Sequence, residues 1–242
     1  MLARECDRSA RIGRVTLRAL LPLVIAAALA AGCSSVDFWK DQFSAPSAPA
    51  QGSEPAQPLG QTFEEDVQLA RTYTETYWNQ KFQAAGTTYR PLQRFVAYSG
   101  ADGPECGGQP AVPENAFYCP VGHFVAYDER WMRSLYEEMG DGAVYLIIPH
   151  EIGHAVQAQL MSDFSLNVER ELQADCYAGG ALKGLIDSKQ LEAESGDEEE
   201  LLANLAAAGD PTEAWWRSDA HGTPAQRQQF FAKGFNSGVD SC

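Results

Sequence analysis

Histidine is scarce in this chain, with four among 242 residues. Basic residues are short as well: 18 Lys and Arg stand against 33 Asp and Glu, for a formal net charge of -15. Binding nucleic acid needs a basic face that neutralises phosphates, so this balance excludes nucleic acid as the partner. It also argues against plain electrostatic adsorption to anionic lipid, and its acidic field favours basic or neutral substrates. No Cys-x-x-Cys pair occurs, which removes the usual thiolate zinc sites. No uninterrupted apolar run reaches the roughly 20 residues that span a bilayer. There is no Arg-Arg pair of the twin-arginine export route and no internal repeat. What is present, 45% hydrophobic and 21% charged residues, is a globular composition long enough for one large domain or two small ones.

The N-terminal segment has its own pattern. Arg4, Arg8, Arg11, Arg14 and Arg18 precede an apolar run from Ala19 to Ala31 that only Pro22 interrupts. A basic stretch, a short apolar stretch and small residues at its end describe a secretory signal rather than a membrane span. The run closes on Leu29-Ala30-Ala31-Gly32-Cys33. That end resembles a bacterial lipobox, with Leu displaced one position, and implies cleavage at residue 32 and a lipid anchor on Cys33. Ordinary cleavage after Ala30, giving a free secreted protein, is the alternative. Residues 33–61 then form a linker, with Pro46, Pro49, Pro55 and Pro58 among Ala, Ser and Gln, a composition that builds no core. The expectation is an exported protein, anchored to a membrane outside the cytoplasm, with its folded domain at 62–242.

An exported chain meets an oxidising environment, and four cysteines remain beyond Cys33. Three pairings are possible. Cys106 and Cys119 flank a short Gly- and Pro-rich loop and form the natural local pair, which leaves Cys176 with Cys242 and ties the C-terminus to the core.

Within the domain, Thr62-Phe63-Glu64-Glu65 fits a capping box for a helix reaching about Ala84. Short strands are expected at 92–98, 116–118 and 124–127, forming a small antiparallel sheet ahead of the helix that runs from about Ala143 to Leu160. Asp128 caps a helix from Glu129 to Met139, and another runs from Ala143 to about Leu160 across Pro149. Asn167 caps one ending near Ile186. Further helices are expected at 201–208, capped by Asp197-x-x-Glu200, at 211–219 and at 224–235. Glu192 to Glu200 holds six acids in nine residues and reads as a solvated face. The class is α+β and mostly helical.

The chemistry is concentrated at His150-Glu-Ile-Gly-His154. Histidines at i and i+4 stand on one helix face with their Cβ atoms about 5–6 Å apart, close enough for both imidazoles to meet one zinc ion. Glu151 lies one step around the helix, placed to accept a proton from a water rather than to ligate. A catalytic zinc needs a third protein ligand and an open position. Position 160, where an extended motif would carry a third His, is Leu, so a later helix must supply the ligand. Glu171 and Asp175 share a face at i and i+4. Glu171 is the candidate ligand, ahead of Glu169, and Asp175 the candidate partner for the other ring nitrogen of a zinc-bound His.

Three motifs resemble the neutral zinc metallopeptidase family of bacteria, and in its order: His150-Glu-Ile-Gly-His-Ala-Val-Gln157, Glu171-Leu-Gln-Ala-Asp-Cys-Tyr-Ala-Gly179 and Ala220-His-Gly-Thr-Pro-Ala-Gln-Arg227. Residues 116–128 are similar to its upstream strand. The resemblance covers roughly Thr62 to Cys242. It implies a zincin-like fold, one Zn2+ held by His150, His154 and Glu171, and Glu151 as general base in peptide hydrolysis. His221, within the third motif, is the candidate oxyanion donor, with Tyr177 a weaker one, and His123 reads as structural. The strand at 124–127 is a candidate to pair with an extended substrate, against its ordinary reading as an internal strand. Two departures stand out: Ala155 replaces a frequent His, and Pro149 precedes the first ligand. The expected activity is that of a membrane-anchored zinc endopeptidase. A non-catalytic envelope lipoprotein that uses the fold as a scaffold is the alternative, and zinc hydrolysis of a non-peptide amide would use the same residues.

Overall fold

The computed structural model describes residues 61–242. The expected signal segment 1–32, Cys33 and the linker up to Gly60 lie outside the described residues. No helix among the described residues is long and apolar enough to cross a membrane.

Helix α1 (Phe63–Ala84) opens with the expected box. Thr62 Oγ1 accepts the Glu65 amide at 3.3 Å, and the Glu65 carboxylate accepts the Thr62 amide at 2.8 Å. Phe63, Val67, Ala70, Trp78 and Phe82 bury one stripe of this helix in the main core. Three short strands follow: β1 (Arg94–Tyr98), β2 (Ala116–Cys119) and β3 (Phe124–Asp128).

The sheet is mixed rather than wholly antiparallel. Its order is β1-β3-β2, with β2 and β3 forming an antiparallel hairpin and β1 running parallel to β3. The long segment between β1 and β2 lets the hairpin return with its second strand against β1, a parallel arrangement that a tight turn could not give. All five residues of β3 are buried, as a strand paired on both edges requires.

Asp128 ends β3 and caps α2 (Glu129–Met139). Its Oδ1 accepts the Arg130 amide at 3.2 Å, while Oδ2 accepts the amides of Gly100 and Glu114 at 3.1 Å each. One carboxylate thus ties a helix start to two loops. Helix α3 (Gly142–Leu160) is buried from Gly142 to Gln157 apart from Ile147. Pro149 sits inside it, so the helix does not begin there. The missing N–H leaves the carbonyl four residues upstream without its usual donor, a loss that burial of nearly the whole helix offsets.

Helix α4 (Asn167–Asp187) crosses α3 closely. A Cβ on Gly153 would lie 3.3 Å from the Ala174 carbonyl oxygen, so the glycine of the His-Glu-Ile-Gly-His run allows the approach that brings α4 to the histidines. Helices α5 (Asp197–Ala207) and α6 (Pro224–Ser237) complete the layer, followed by a 3-10 turn at Val239–Ser241. A side chain at Gly234 on α6 would overlap the Cys176 carbonyl of α4, so these two helices pack at backbone distance.

Both expected disulfides form, Cys106–Cys119 and Cys176–Cys242, with Cα atoms 5.6 and 5.7 Å apart. Three local expectations are corrected. Leu166, not Asn167, is the residue before α4, and the Asn167 amide instead donates to the Ala220 carbonyl at 3.0 Å. Helix α5 starts at Asp197 itself, behind Gly196 at φ +117°, so the acids form its first turn rather than a cap before Leu201. Residues 211–219 form turns instead of a helix. Trp215 and Trp216 are 53% and 66% exposed there, and a short helix with no buried face lacks the packing that would hold it.

Candidate metal centre

Helix α3 presents His150, Glu151 and His154, and α4 presents Glu171 and Asp175, all of them buried. The α3–α4 contact at Gly153 brings the two sets together. Glu171 Oε2 lies 3.2 Å from His150 Nε2 and 3.4 Å from His154 Nε2. A tetrahedral zinc at about 2.0–2.1 Å from each ligand spaces its ligand atoms about 3.3–3.4 Å apart. Each nitrogen therefore stands at that spacing from the carboxylate oxygen, all three ligand atoms lie within 4.8 Å of one another, and these donor types suit zinc. A second triad of Asp141, Asp197 and Glu200 also clusters within 4.8 Å, but it offers only carboxylates.

The other ring nitrogens are fixed. His150 Nδ1 donates to Asp175 Oδ1 at 2.8 Å, and His154 Nδ1 donates to Gln157 Oε1 at 2.8 Å. Each bond turns Nε2 toward Glu171, which sets the geometry a metal ligand needs. Asp175 is held in turn by Arg227 of α6, with Nε to Oδ2 at 2.8 Å and Nη2 to Oδ1 at 2.7 Å. The third nitrogen, Arg227 Nη1, donates to the Ala208 carbonyl at 2.9 Å. Gln157 is anchored by its own Nε2, which donates to the Arg170 carbonyl at 2.8 Å and to Gln173 Oε1 at 3.1 Å.

The charges follow from these contacts. Burial works against a charge on His150, but Asp175 and Glu171 outweigh it and push its pKa up to about 10. Burial also opposes ionisation of Glu171, yet its bonds to His150 and His154 hold it far below the usual carboxylate range. Asp175 is kept ionised against its burial by Arg227 and then His150.

A cavity of about 440 Å³ is lined by His150, Glu151, His154 and Glu171, with Asn115 to Tyr118 of the β2 segment, His221 and Arg170 among its walls. Glu151 has no hydrogen bond to protein among the described residues, so its carboxylate is open to a water in that space. His221 reaches the same cavity. Its backbone amide is fixed by Asp210 Oδ2 at 2.7 Å, its Nδ1 lies 3.6 Å from Asp210 Oδ1, and half of the side chain is exposed. Tyr177 is packed edge-on to Trp78 in the core and does not line the cavity. His123 is structural: Nε2 donates to the Arg90 carbonyl and Nδ1 accepts the Tyr118 hydroxyl, both at 2.9 Å. Glu169 accepts the Leu166 amide at the start of α4 and is not part of the cluster.

The strand expected to meet a substrate is the wrong member of its hairpin. Both edges of β3 are paired, and β2 is the outer strand. Asp128 donates its amide to Asn115 at 2.8 Å, which marks 115–128 as a hydrogen-bonded pair. Alternation along an antiparallel ladder then turns the amides and carbonyls of Ala116 and Tyr118 outward, at the strand that borders the cavity.

Two residues of the site carried no role in the sequence reading. Gln157 lies three residues after His154 on the same helix, a spacing that could have revealed it. Arg227 is 52 residues from Asp175, and no local pattern connects them.

A family model described as "Putative neutral zinc metallopeptidase" matches residues 8–242. The "Uncharacterized protein YpfJ" of Escherichia coli K12 is 34% identical over 190 residues, covering 68% of this chain and 65% of its own length. An uncharacterized protein of Mycobacterium tuberculosis is 33% identical over 183 residues, covering 62% of this chain and 60% of its own length. The chain thus spans just under two thirds of the length of these relatives. No solved structure matches it.

Proposed function

The chain belongs to the neutral zinc metallopeptidase family, and from that membership and the geometry of the cavity we propose that it is a zinc-dependent endopeptidase. The observation that carries this reading is the convergence of His150 Nε2 and His154 Nε2 on Glu171 Oε2, at 3.2 and 3.4 Å, beside Glu151, which bonds no protein group among the described residues. Those three side chains would hold the ion. When bound, zinc polarises a carbonyl oxygen and acidifies a water.

The chain's own residues do the rest. The outward amides and carbonyls of Ala116 and Tyr118 hold an extended peptide as an added strand against β2. Glu151 accepts the proton of the attacking water and delivers it to the leaving amine, a contribution of about 10²–10⁴ in rate for a well-placed group. His221 donates to the carbonyl oxygen as negative charge develops there. Asp175 and Gln157 keep the two ligand imidazoles in the required tautomer. A role for Glu151 separates this reading from a scaffold, which has no use for a base beside the metal.

Export and lipid anchoring rest on residues 1–33 alone, with two disulfides that suit an oxidising compartment. Incorporation of labelled fatty acid into the whole chain, and its loss in Cys33→Ser, tests the anchor.

The activity is tested by metal analysis of the purified domain followed by peptide-library cleavage. One zinc per chain, cleavage abolished by a chelator and restored by zinc, and loss of cleavage in Glu151→Gln with the metal retained are the expected results. Equal turnover in Glu151→Gln would remove the base from the mechanism. A loaded protein that cleaves amides of cell-wall type but no peptide would reassign the substrate.

A further inference from the structure

We propose that Arg170 is a specificity residue of this cavity, binding a carboxylate of the substrate. The inference rests on the peptidase reading and names the substrate class that the same site would select.

Two arginines line the cavity. Arg227 is buried and spends all three guanidinium nitrogens on Asp175 and the Ala208 carbonyl. Arg170 is different. Its backbone is fixed, since its carbonyl accepts Gln157 Nε2, so the side chain departs from a rigid point at the start of α4. The guanidinium uses one nitrogen, Nη2, on Glu171 Oε1 at 2.8 Å, and the side chain is 47% exposed. Its Nε and Nη1 have no protein partner among the described residues. One Nη2–H is therefore held by Glu171, while the other Nη2–H, with Nε or Nη1 beside it, remains an open fork in the cavity wall. A planar, pre-oriented fork with an open edge matches a carboxylate better than any other group a peptide carries.

The contact with Glu171 also decides where this carboxylate would sit. Glu171 Oε2 faces the histidines and Oε1 faces Arg170, so the fork is separated from the metal position by a single carboxylate group. A substrate group bound there lies next to the scissile bond, not at a remote position. This reverses the preference suggested by the net charge. Surface charges beyond the Debye length, about 8–10 Å at ordinary salt, are largely screened, whereas a guanidinium in the cavity wall acts at contact. A carboxylate can come from an acidic side chain or from a free C-terminus. In the second case the enzyme would trim chain ends rather than cut internally.

The experiment uses the full domain, with zinc content and thermal midpoint recorded for every variant. One peptide series carries Glu, Gln or Lys scanned across the positions flanking the scissile bond, with amidated ends. A second carries neutral residues with a free or an amidated C-terminus. The expected result is a preference of about tenfold in kcat/KM for one of the two carboxylates, the scale of a charge-assisted bond at a half-exposed site. Arg170→Lys should keep much of it, Arg170→Gln should abolish it, and Arg170→Glu should turn it toward Lys. Which series shows the preference identifies the source of the carboxylate. Turnover with no preference in either series overturns the proposal and leaves the peptidase reading intact. If the protein cleaves nothing, calorimetric binding of the Glu and Lys peptides decides: tighter Glu-peptide binding that Arg170→Gln removes supports the proposal, and equal binding overturns it. If Arg170→Gln loses zinc or fold, the wild-type preference and its retention in Arg170→Lys carry the test.

Discussion

Arg227 and His150 share a single oxygen. Asp175 Oδ1 accepts Arg227 Nη2 at 2.7 Å and His150 Nδ1 at 2.8 Å, so a residue of the last helix sets the orientation of the first candidate metal ligand through one carboxylate. The contact depends on α4 and α6 packing at backbone distance, which Gly234 makes possible. Fold and chemistry meet there, because the helix that closes the core also locks the tautomer.

Removing Arg227 would leave a buried, ionised Asp175 with His150 alone. Arg227→Met is expected to cost about 3–5 kcal/mol of stability, the usual result of breaking one side of a buried pair. Zinc affinity should fall by about 10–100-fold, as for other groups that orient a metal-bound His. In an Asp175→Asn background the same substitution should cost much less. Denaturant unfolding and zinc competition against a chelator measure the two effects. Unchanged zinc affinity in Arg227→Met would remove it from the site.

Gln157 does for His154 what Asp175 does for His150, but with a neutral acceptor. Gln157→Leu strands the His154 N–H, while the Arg170 carbonyl keeps its helical donor, so zinc affinity is expected to drop by about tenfold or more. Gln157→Glu should not rescue it, because the new oxygen would face the Arg170 carbonyl and Gln173 Oε1, which now accept from Nε2. Recovery of wild-type affinity in Gln157→Glu would show that only the acceptor toward His154 matters.

Much of this site was legible in the chain because its parts are local. His150 and His154 at i and i+4, Glu171 and Asp175 at i and i+4, and the box at Thr62 are helix-face patterns that need no tertiary knowledge. Both disulfides followed from the cysteine count together with the short loop between Cys106 and Cys119, and the helix from Glu129 to Met139 from its Asp128 cap. What the chain did not reveal depends on long-range pairing. The parallel β1–β3 contact arises from the path of the connecting segment, not from any residue in the strands. The turns at 211–219 reflect a face that finds nothing to pack on, although Pro211 and the two tryptophans suit a helix start. Arg227 is reached only through the α4–α6 crossing.

Stability should depend on pH through the start of α3. Partial burial, then repulsion from Asp197, Asp66 and Glu200, holds Asp141 up to about 7. Asp197 and Asp66 are themselves raised, burial being the main cause in both. An unfolded Asp titrates near 3.9. Between that value and about 7 a folded Asp141 keeps a proton its unfolded form has lost, so the contribution of this group to stability falls as pH rises through this window and is constant above it. Asp141→Asn should flatten that fall, by about 1–2 kcal/mol after discounting for solvent screening of a partly exposed group. Thermal midpoints across the window, for wild type and variant, test it. Parallel curves would show that Asp141 is not the titrating group.

The two disulfides should differ in what they contribute. Cys106–Cys119 closes a loop with a sequence separation of 13, and Cys176–Cys242 one of 66. Chain entropy alone assigns about 3 kcal/mol to the first and about 4 kcal/mol to the second. The second has an added consequence, because Cys176 directly follows Asp175 on α4 and its partner is the last residue of the chain. Opening it frees the C-terminal turn that lies against the helix carrying Glu171 and Asp175. Replacing Cys176 and Cys242 together by Ala should therefore lower both stability and zinc affinity. Replacing Cys106 and Cys119 together should lower stability alone, since these cysteines pack in the separate cluster of Tyr98, Ala111, Phe124 and Ala126. Unfolding and zinc titration of the two double variants separate the cases, and equal zinc affinity in both would confine the role of the C-terminal link to stability.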